Sequence, residues 1–141
     1  MISQKTRYGF RALLYLARSQ GPIAIGTIAA KEKISLKFLE LVMIELKRHR
    51  LVTSRRGKLG GYELARPADQ ISYADVIRAL DGPLALVPCA SVTAYRRCRD
   101  CYEPKHCARR RVLIEVRDST AAILERRHLL DFIDVLTPIE G

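Results

Sequence analysis

The sequence lacks a hydrophobic run long enough to cross a lipid bilayer, which takes about 20 consecutive apolar residues. The N-terminal region also lacks the apolar segment of a secretory signal peptide, because Arg7, Arg11 and Arg18 interrupt its apolar pattern. We therefore expect a cytoplasmic protein with no membrane partner. Structural disulfides are rare in that compartment, so grouped cysteines there more often indicate metal or redox chemistry.

Cysteine is absent from all but one short window. The four cysteines of this 141-residue chain are Cys89, Cys98, Cys101 and Cys107. Four thiols so close together can hold an iron–sulfur cluster or a zinc ion, or can act as a metal-free thiol switch. The window is rich in arginine, and nearby positive charge lowers the pKa of a thiol and favours the thiolate. The residues of this window alone leave these three possibilities open.

Acidic residues are scarce in the first half of the chain. Residues 1–66 contain 14 lysines and arginines but 4 aspartates and glutamates, whereas residues 67–141 contain 11 of each. The first half therefore carries the whole formal net charge of +10. Such asymmetry indicates an anionic partner, and nucleic acid fits best, although a solvated basic surface would give the same count.

The spacing of apolar residues predicts helices over 3–19, 25–33 and 36–48, the last with Ser35 as its N-cap. Two short helices joined by a tight turn are typical of a helix-turn-helix, whose second helix enters the major groove of DNA. Residues 51–65 then read as strand, glycine-rich turn and strand, which is the pattern of a wing with a basic tip.

The residue pattern in the second half of the chain predicts two further helices and a short final one. Ser72 and Asp75 fit a capping box that begins a helix ending near Leu80. A helix of about 30 Å is predicted over 108–127, and residues 129–136 form the short last helix. Apolar positions in the long helix repeat at a spacing that favours pairing with a second subunit. These positions are Leu113, Val116, Thr120 and Ile123.

These patterns predict a mainly α fold with a small β-hairpin wing, that is, a winged helix-turn-helix plus a long C-terminal dimerisation helix. We predict a DNA-binding domain at 1–83, a cysteine-rich metal or cluster loop at 84–107, and a dimerisation helix with a C-terminal segment at 108–141. The βαβ pattern that accompanies the Cys-x-x-Cys motif of thiol oxidoreductases is missing. We therefore expect a regulator rather than an enzyme; the alternative is a redox protein without specific DNA binding.

Three motifs resemble one known family: YGFRAL at 8–13, SLKFLE at 35–40 and RGKLGGYELA at 56–65. The chain resembles the Rrf-two family of bacterial transcription regulators, which includes IscR-, NsrR- and RirA-type proteins. The resemblance implies a homodimer that binds a roughly palindromic double-stranded operator. By position, it assigns DNA contacts to Ser35, Leu36, Lys37, Phe38, Glu40, Arg55, Arg56, Gly57, Lys58, Gly60, Gly61 and Tyr62.

The cysteines depart from the commonest family spacing, Cys-x5-Cys-x5-Cys, because this chain has Cys-x8-Cys-x2-Cys-x5-Cys. The three that match by position are Cys89, Cys101 and Cys107. Arg110 stands where IscR-type proteins have a histidine, and no acidic residue precedes Glu32 to serve as an NsrR-type ligand. We infer that Cys98 completes an all-cysteine set around a [2Fe-2S] or [4Fe-4S] cluster. The resemblance then implies a repressor that senses iron, redox state or nitric oxide.

Overall fold

The structure is a computed structural model that describes residues 2–135. The helices and strands in that range are α1 (Gln4–Arg18), α2 (Ile25–Glu32), α3 (Leu36–Arg48), β1 (Val52–Arg55), β2 (Gly61–Leu64), α4 (Tyr73–Leu80) and α5 (Ala108–Arg126). Short 3₁₀ turns lie at Ala68–Gln70, Pro88–Ala90, Pro104–His106 and Leu129–Val135. The predicted mainly helical fold with a two-stranded hairpin is confirmed. The predicted last helix is a 3₁₀ turn, and its final residue, Leu136, lies outside the described residues.

Side-chain caps fix where the helices begin. The Ser3 hydroxyl accepts a hydrogen bond from the backbone N–H of Thr6 at 3.1 Å at the start of α1. At the start of α4, the Ser72 hydroxyl accepts from the Asp75 N–H and the Asp75 carboxylate accepts from the Ser72 N–H, both at 3.0 Å. This reciprocal pair is the predicted capping box, and it satisfies two N–H groups that the helix itself leaves unpaired.

One apolar core holds α1, α3 and α4 together. Its largest fully buried side chains include Leu13, Leu39, Met43, Leu46 and Val76. Burying a side chain of this size stabilises the fold by about 1.5–3 kcal/mol relative to leaving it exposed. The core therefore fixes the orientation of α3, whose opposite face is exposed.

The hairpin is joined to the helical core by close backbone contacts. Ile23 and Tyr62 exchange two backbone hydrogen bonds, each 2.8 Å long, which places β2 beside the segment that precedes α2. Gly61 makes this approach possible, because a Cβ atom there would lie 2.3 Å from the backbone of Ile23. The φ angle of Gly61, +148°, also lies in a region that residues with a Cβ atom rarely adopt.

The long helix α5 and the turn after it differ in burial. None of the residues of α5 is buried, and its neighbours are α4 and the Pro88–Ala90 turn. The chain then returns to the core, where Leu129 is 0% exposed and its backbone N–H donates to the carbonyl of Ile71 at 3.0 Å. No helix within residues 2–135 is long and apolar enough to cross a membrane.

Candidate functional site

The second helix of the helix-turn-helix, α3, presents one face to the core and the opposite face to solvent. The turn before it is tight because Lys33 adopts a left-handed conformation, with φ of 54°. The Ser35 hydroxyl caps α3 by accepting from the N–H of Phe38 at 3.5 Å. The exposed face, hereafter the recognition face, comprises Leu36, Lys37, Glu40, Leu41, Ile44, Lys47 and Arg48.

The structure divides the residues that were predicted to contact DNA into two groups. Exposed residues are Ser35, Leu36, Lys37, Glu40, Arg55, Arg56, Gly57 and Lys58. Half-buried residues are Phe38, Gly60, Gly61 and Tyr62. The Phe38 ring packs edge-on against Tyr8, with centroids 5.6 Å apart, so it positions α3 as well as bordering its exposed surface.

The wing lies beside the recognition face and is fixed to it. The Lys47 ammonium of α3 donates to the Ser54 hydroxyl of β1 at 2.7 Å. Arg55 forms an ion pair with Glu63 across the hairpin, with Nε and Oε1 2.9 Å apart. Arg56 and Lys58 stand exposed at the tip. The recognition face and the wing thus form one joined surface with an excess of positive charge, which complements the phosphate backbone of DNA.

All four cysteines line a single cavity of about 370 Å³ at the N-terminal end of α5. Cys89 is 6% exposed in the Pro88–Ala90 turn. Cys107 is the N-cap of α5, and its sulfur accepts from the backbone N–H of Arg110 at 3.4 Å. Cys98 and Cys101 share a turn in which the Cys101 N–H donates to the Cys98 carbonyl at 3.2 Å. We call this space the cysteine cavity.

One expectation about these thiols needs correction. Surrounding arginines were expected to lower thiol pKa values, but the pKa of Cys98 is raised, chiefly because its thiol donates to the Cys89 sulfur. The two sulfur atoms are 3.4 Å apart. The positive charge of Arg109 opposes the shift but does not overcome it.

The donor set of the cysteine cavity fits an iron–sulfur cluster in its chemistry. Thiolates are the usual ligands of such clusters, and N–H donors to sulfur stabilise their charge. The N–H of Arg110 already makes such a contact to Cys107, and the side chains of Arg109 and Arg110 line the same cavity. In residues 2–135, no three cysteine, histidine or acidic side chains are placed to share one metal ion.

Two arginines of α5 hold the turn that carries Cys89. Arg110 donates from Nε to the carbonyl of Cys89 at 2.9 Å, and Arg117 donates from Nη1 to the carbonyl of Ala90 at 2.6 Å. Sequence reasoning counted Arg110 among the basic residues of the cysteine window and as the residue in place of a histidine, and it missed Arg117. Their spacing of seven residues, two turns along one helix face, was the available signal.

A winged helix-turn-helix with a cationic recognition face defines a class of DNA-binding regulators. The chain belongs to the Rrf2 family, whose model, described as an iron-dependent transcriptional regulator, matches residues 2–135. The family resemblance of its motifs is thereby confirmed. An rrf2-like HTH-type transcriptional regulator of Rhodobacter capsulatus is 35% identical over 98% of this chain and 95% of its own length.

Solved structures of regulators share this fold. CymR, the global cysteine regulator of Bacillus subtilis, superposes with a TM-score of 0.75 at 33% identity, covering 96% of this chain and 97% of CymR. IscR of T. potens superposes with a TM-score of 0.74 at 26% identity, covering 100% of this chain and 91% of IscR. The protein is therefore a DNA-binding transcriptional regulator of winged-helix architecture.

Proposed function

We propose that the protein is a cytoplasmic, homodimeric repressor that reports iron, redox state or nitric oxide through an iron–sulfur cluster. The proposed ligands are Cys89, Cys98, Cys101 and Cys107. The observation that supports this proposal is that all four thiols line one cavity beside α5. The cluster is of the [2Fe-2S] or [4Fe-4S] type, and both fit an all-cysteine set.

The proposed operator contacts follow from charge and exposure. Lys37 lies on the recognition face and Arg56 at the wing tip, both exposed. A recognition helix in the major groove and an arginine in the adjacent minor groove, where the negative potential is strong, would use these two side chains. Gly57 is exposed at the tip and carries no side chain, so the wing backbone there could approach a phosphate closely, whereas a Cβ at Gly60 would meet the hairpin's own backbone at Arg55.

A homodimer through α5 is supported by side chains that this chain leaves uncovered. Val116 is 39% and Ile123 53% exposed, and both lie in the apolar seam predicted from the sequence. A second copy of α5 packed on this seam would bury them. Binding to a palindromic operator would require this dimer to hold its two recognition faces about 34 Å apart, one helical turn of DNA.

The proposed coupling between the cysteine cavity and DNA passes through α5. When bound, a cluster supplies the redox- and oxygen-sensitive chemistry. The chain supplies the connection, because Arg110 and Arg117 link the Cys89 turn to α5 by hydrogen bonds to two successive carbonyls. A displacement of Cys89 would therefore shift α5 and change the angle between the two recognition faces.

A thiol switch is a second candidate, favoured by the 3.4 Å separation of the Cys89 and Cys98 sulfurs. A peroxide could oxidise this pair: the two thiols lose two protons and two electrons and form a disulfide, and the peroxide takes these up to give two water molecules, or one alcohol and one water. A zinc-stabilised loop is a third alternative, with the same four thiols as ligands.

The test is a determination of iron, acid-labile sulfide and zinc in protein purified without oxygen, with an absorption spectrum. We expect stoichiometric iron and sulfide in the wild type, a loss of both in Cys98→Ala, and no loss in Tyr102→Phe, a control in the same loop. Zinc alone, or no metal, would reject the cluster. Iron content unaffected by Cys98→Ala would reject Cys98 as a ligand.

The regulatory claim has its own test. Selection from a library of genomic fragments should yield a preferred palindromic sequence, bound about 10³–10⁷ times more tightly than random DNA. Both affinities should fall as salt rises, because phosphate contacts release counterions. Failure to find a preferred sequence in any state of the cysteine cavity would reject an operator-binding repressor.

A further inference from the structure

The recognition face has an apolar centre. Leu41 is 59% and Ile44 49% exposed, and neither belongs to the set of residues that the sequence motifs assigned to DNA. Positions 37, 41, 44 and 48 are separated by four, three and four residues, so they form one stripe along the helix. This stripe lies opposite the residues of α3 that are buried in the core, which are Leu39, Val42, Met43 and Leu46.

Cations flank this apolar pair, and the face also carries one acidic side chain, Glu40. Lys37 and Arg48 continue the stripe on either side, and Lys47 is held beside it by its hydrogen bond to Ser54 of the wing. Single exposed apolar side chains need no explanation. Two adjacent apolar side chains at the centre of a cationic helix face, however, fit a particular kind of partner. Its surface should carry charge at the edges of the contact and an apolar group between them. Charge complementarity identifies that partner as duplex DNA.

The major groove presents one apolar group among its base edges, the C5 methyl of thymine. Leu41 and Ile44 carry no hydrogen-bond donor or acceptor on their side chains, so neither can distinguish the polar edges of bases. We propose that Leu41 and Ile44 read thymine methyl groups in each half-site, while Lys37 and Arg48 contact the flanking phosphates. This inference rests on the proposed binding to an operator.

The spacing of the pair defines the expected pattern. Three residues of α-helix rise about 4.5 Å, and base pairs follow one another at about 3.4 Å. The two thymines should therefore lie in neighbouring base pairs of the half-site, on the edges that face the major groove. A palindromic operator would repeat the same pair in the other half-site.

The test replaces thymine by deoxyuracil in the selected operator, one position at a time. This change removes the C5 methyl group and leaves every hydrogen-bonding atom in place. We expect the affinity of the wild-type protein to fall about three- to tenfold at two neighbouring positions per half-site and to be unchanged elsewhere. The protein is used in whichever state of its cysteine cavity binds DNA more tightly.

A protein variant links the effect to the residue. Leu41→Ala should bind the thymine and deoxyuracil operators equally at one of the two positions and retain the preference at the other. Leu86→Ala, which shortens an exposed side chain outside α3, should retain both preferences. Because Leu41 is exposed, its replacement should leave the thermal unfolding midpoint close to that of the wild type.

Three outcomes would overturn the inference, and they differ in meaning. A selected operator that tolerates deoxyuracil at every position rejects methyl readout and leaves the repressor proposal intact. Absence of any preferred sequence rejects both. If the methyl dependence persists unchanged in Leu41→Ala and in Ile44→Ala, another residue makes the methyl contact. That result would reject the inference that Leu41 and Ile44 do so.

Discussion

Arg110 donates from its Nε to the backbone carbonyl of Cys89 at 2.9 Å, so the first turn of α5 is hydrogen-bonded to the most buried of the four cysteines. The family resemblance matches the position of Arg110 to that of a histidine in IscR-type proteins. Here the Arg110 side chain instead fixes the backbone of Cys89, which is itself a potential metal ligand. The proposed sensor and the proposed dimer helix are thus in direct contact.

Arg110→Leu removes this donor while keeping an apolar stem. We expect it to reduce the ratio of operator affinities between the metal-loaded and metal-free protein, because Cys89 could then move without moving α5. Allosteric couplings of this kind usually amount to about 5–150-fold, and the variant should lose most of that factor. Titration of a labelled operator with both forms measures the ratio. Arg111→Leu is the control, and an equal ratio in Arg110→Leu and wild type would disprove the coupling.

Gly61→Ala should destabilise the wing. The added Cβ would lie 2.3 Å from the backbone of Ile23, and φ is +148°. Backbone strain of this kind costs about 1–3 kcal/mol, so the midpoint of urea unfolding should fall. Gly26→Ala is the matched control, because no atom lies within 4 Å of the corresponding Cβ position and alanine favours the helix. Equal midpoints in the two variants would contradict the close approach seen at Ile23.

Local signals explain why much of the fold could be predicted from the sequence. The start of α4 was predicted because Ser72 and Asp75 lie three residues apart, and both hydrogen bonds of the capping box form within that distance. The recognition helix was predicted for the same reason, since Ser35 and the apolar spacing after it are both local. Each of these signals acts within one or two helical turns.

The parts that could not be predicted depend on contacts between distant segments. The burial of Leu129 arises from its pairing with Ile71, and nothing in the pattern around position 129 indicates that partner. The pKa of Cys98 was expected to fall because the loop is basic, yet its hydrogen bond to the Cys89 sulfur raises the pKa more than Arg109 lowers it. Counting charges along a loop does not tell which group lies closest.

Leu129→Ala should destabilise the whole domain, although residue 129 lies beyond the long helix. The side chain is 0% exposed in the common core, and truncating a buried leucine typically costs about 2–5 kcal/mol. The adjacent Leu130, which is 50% exposed, provides the control. We expect Leu130→Ala to change the free energy of unfolding by less than about 0.5 kcal/mol. If the two variants unfold alike in urea, the C-terminal turn does not contribute to the core.

Asp81 should make part of the stability dependent on pH. It follows α4, and its carboxylate accepts the backbone N–H of Ser3 at 2.9 Å, which ties the end of α4 to the start of α1. Burial acts to raise the pKa of Asp81, but the hydrogen bonds from Ser3 and Thr6 and the charge of Lys5 together lower it. A carboxyl with a lowered pKa in the folded state stabilises that state when it is ionised.

The sign of this dependence follows from the direction of the shift. The stabilisation is present in full above the unfolded pKa, near 3.9, and it is lost as pH falls through the lower pKa of the folded state. Because Asp81 is exposed, its contribution should be below about 1 kcal/mol. Asp81→Asn should therefore be less stable than the wild type at pH 7, and the difference should shrink in acid. Urea titrations at several pH values measure this, with Asp69→Asn as the control. A difference that stayed constant from pH 7 to pH 3 would show that ionisation of Asp81 contributes nothing.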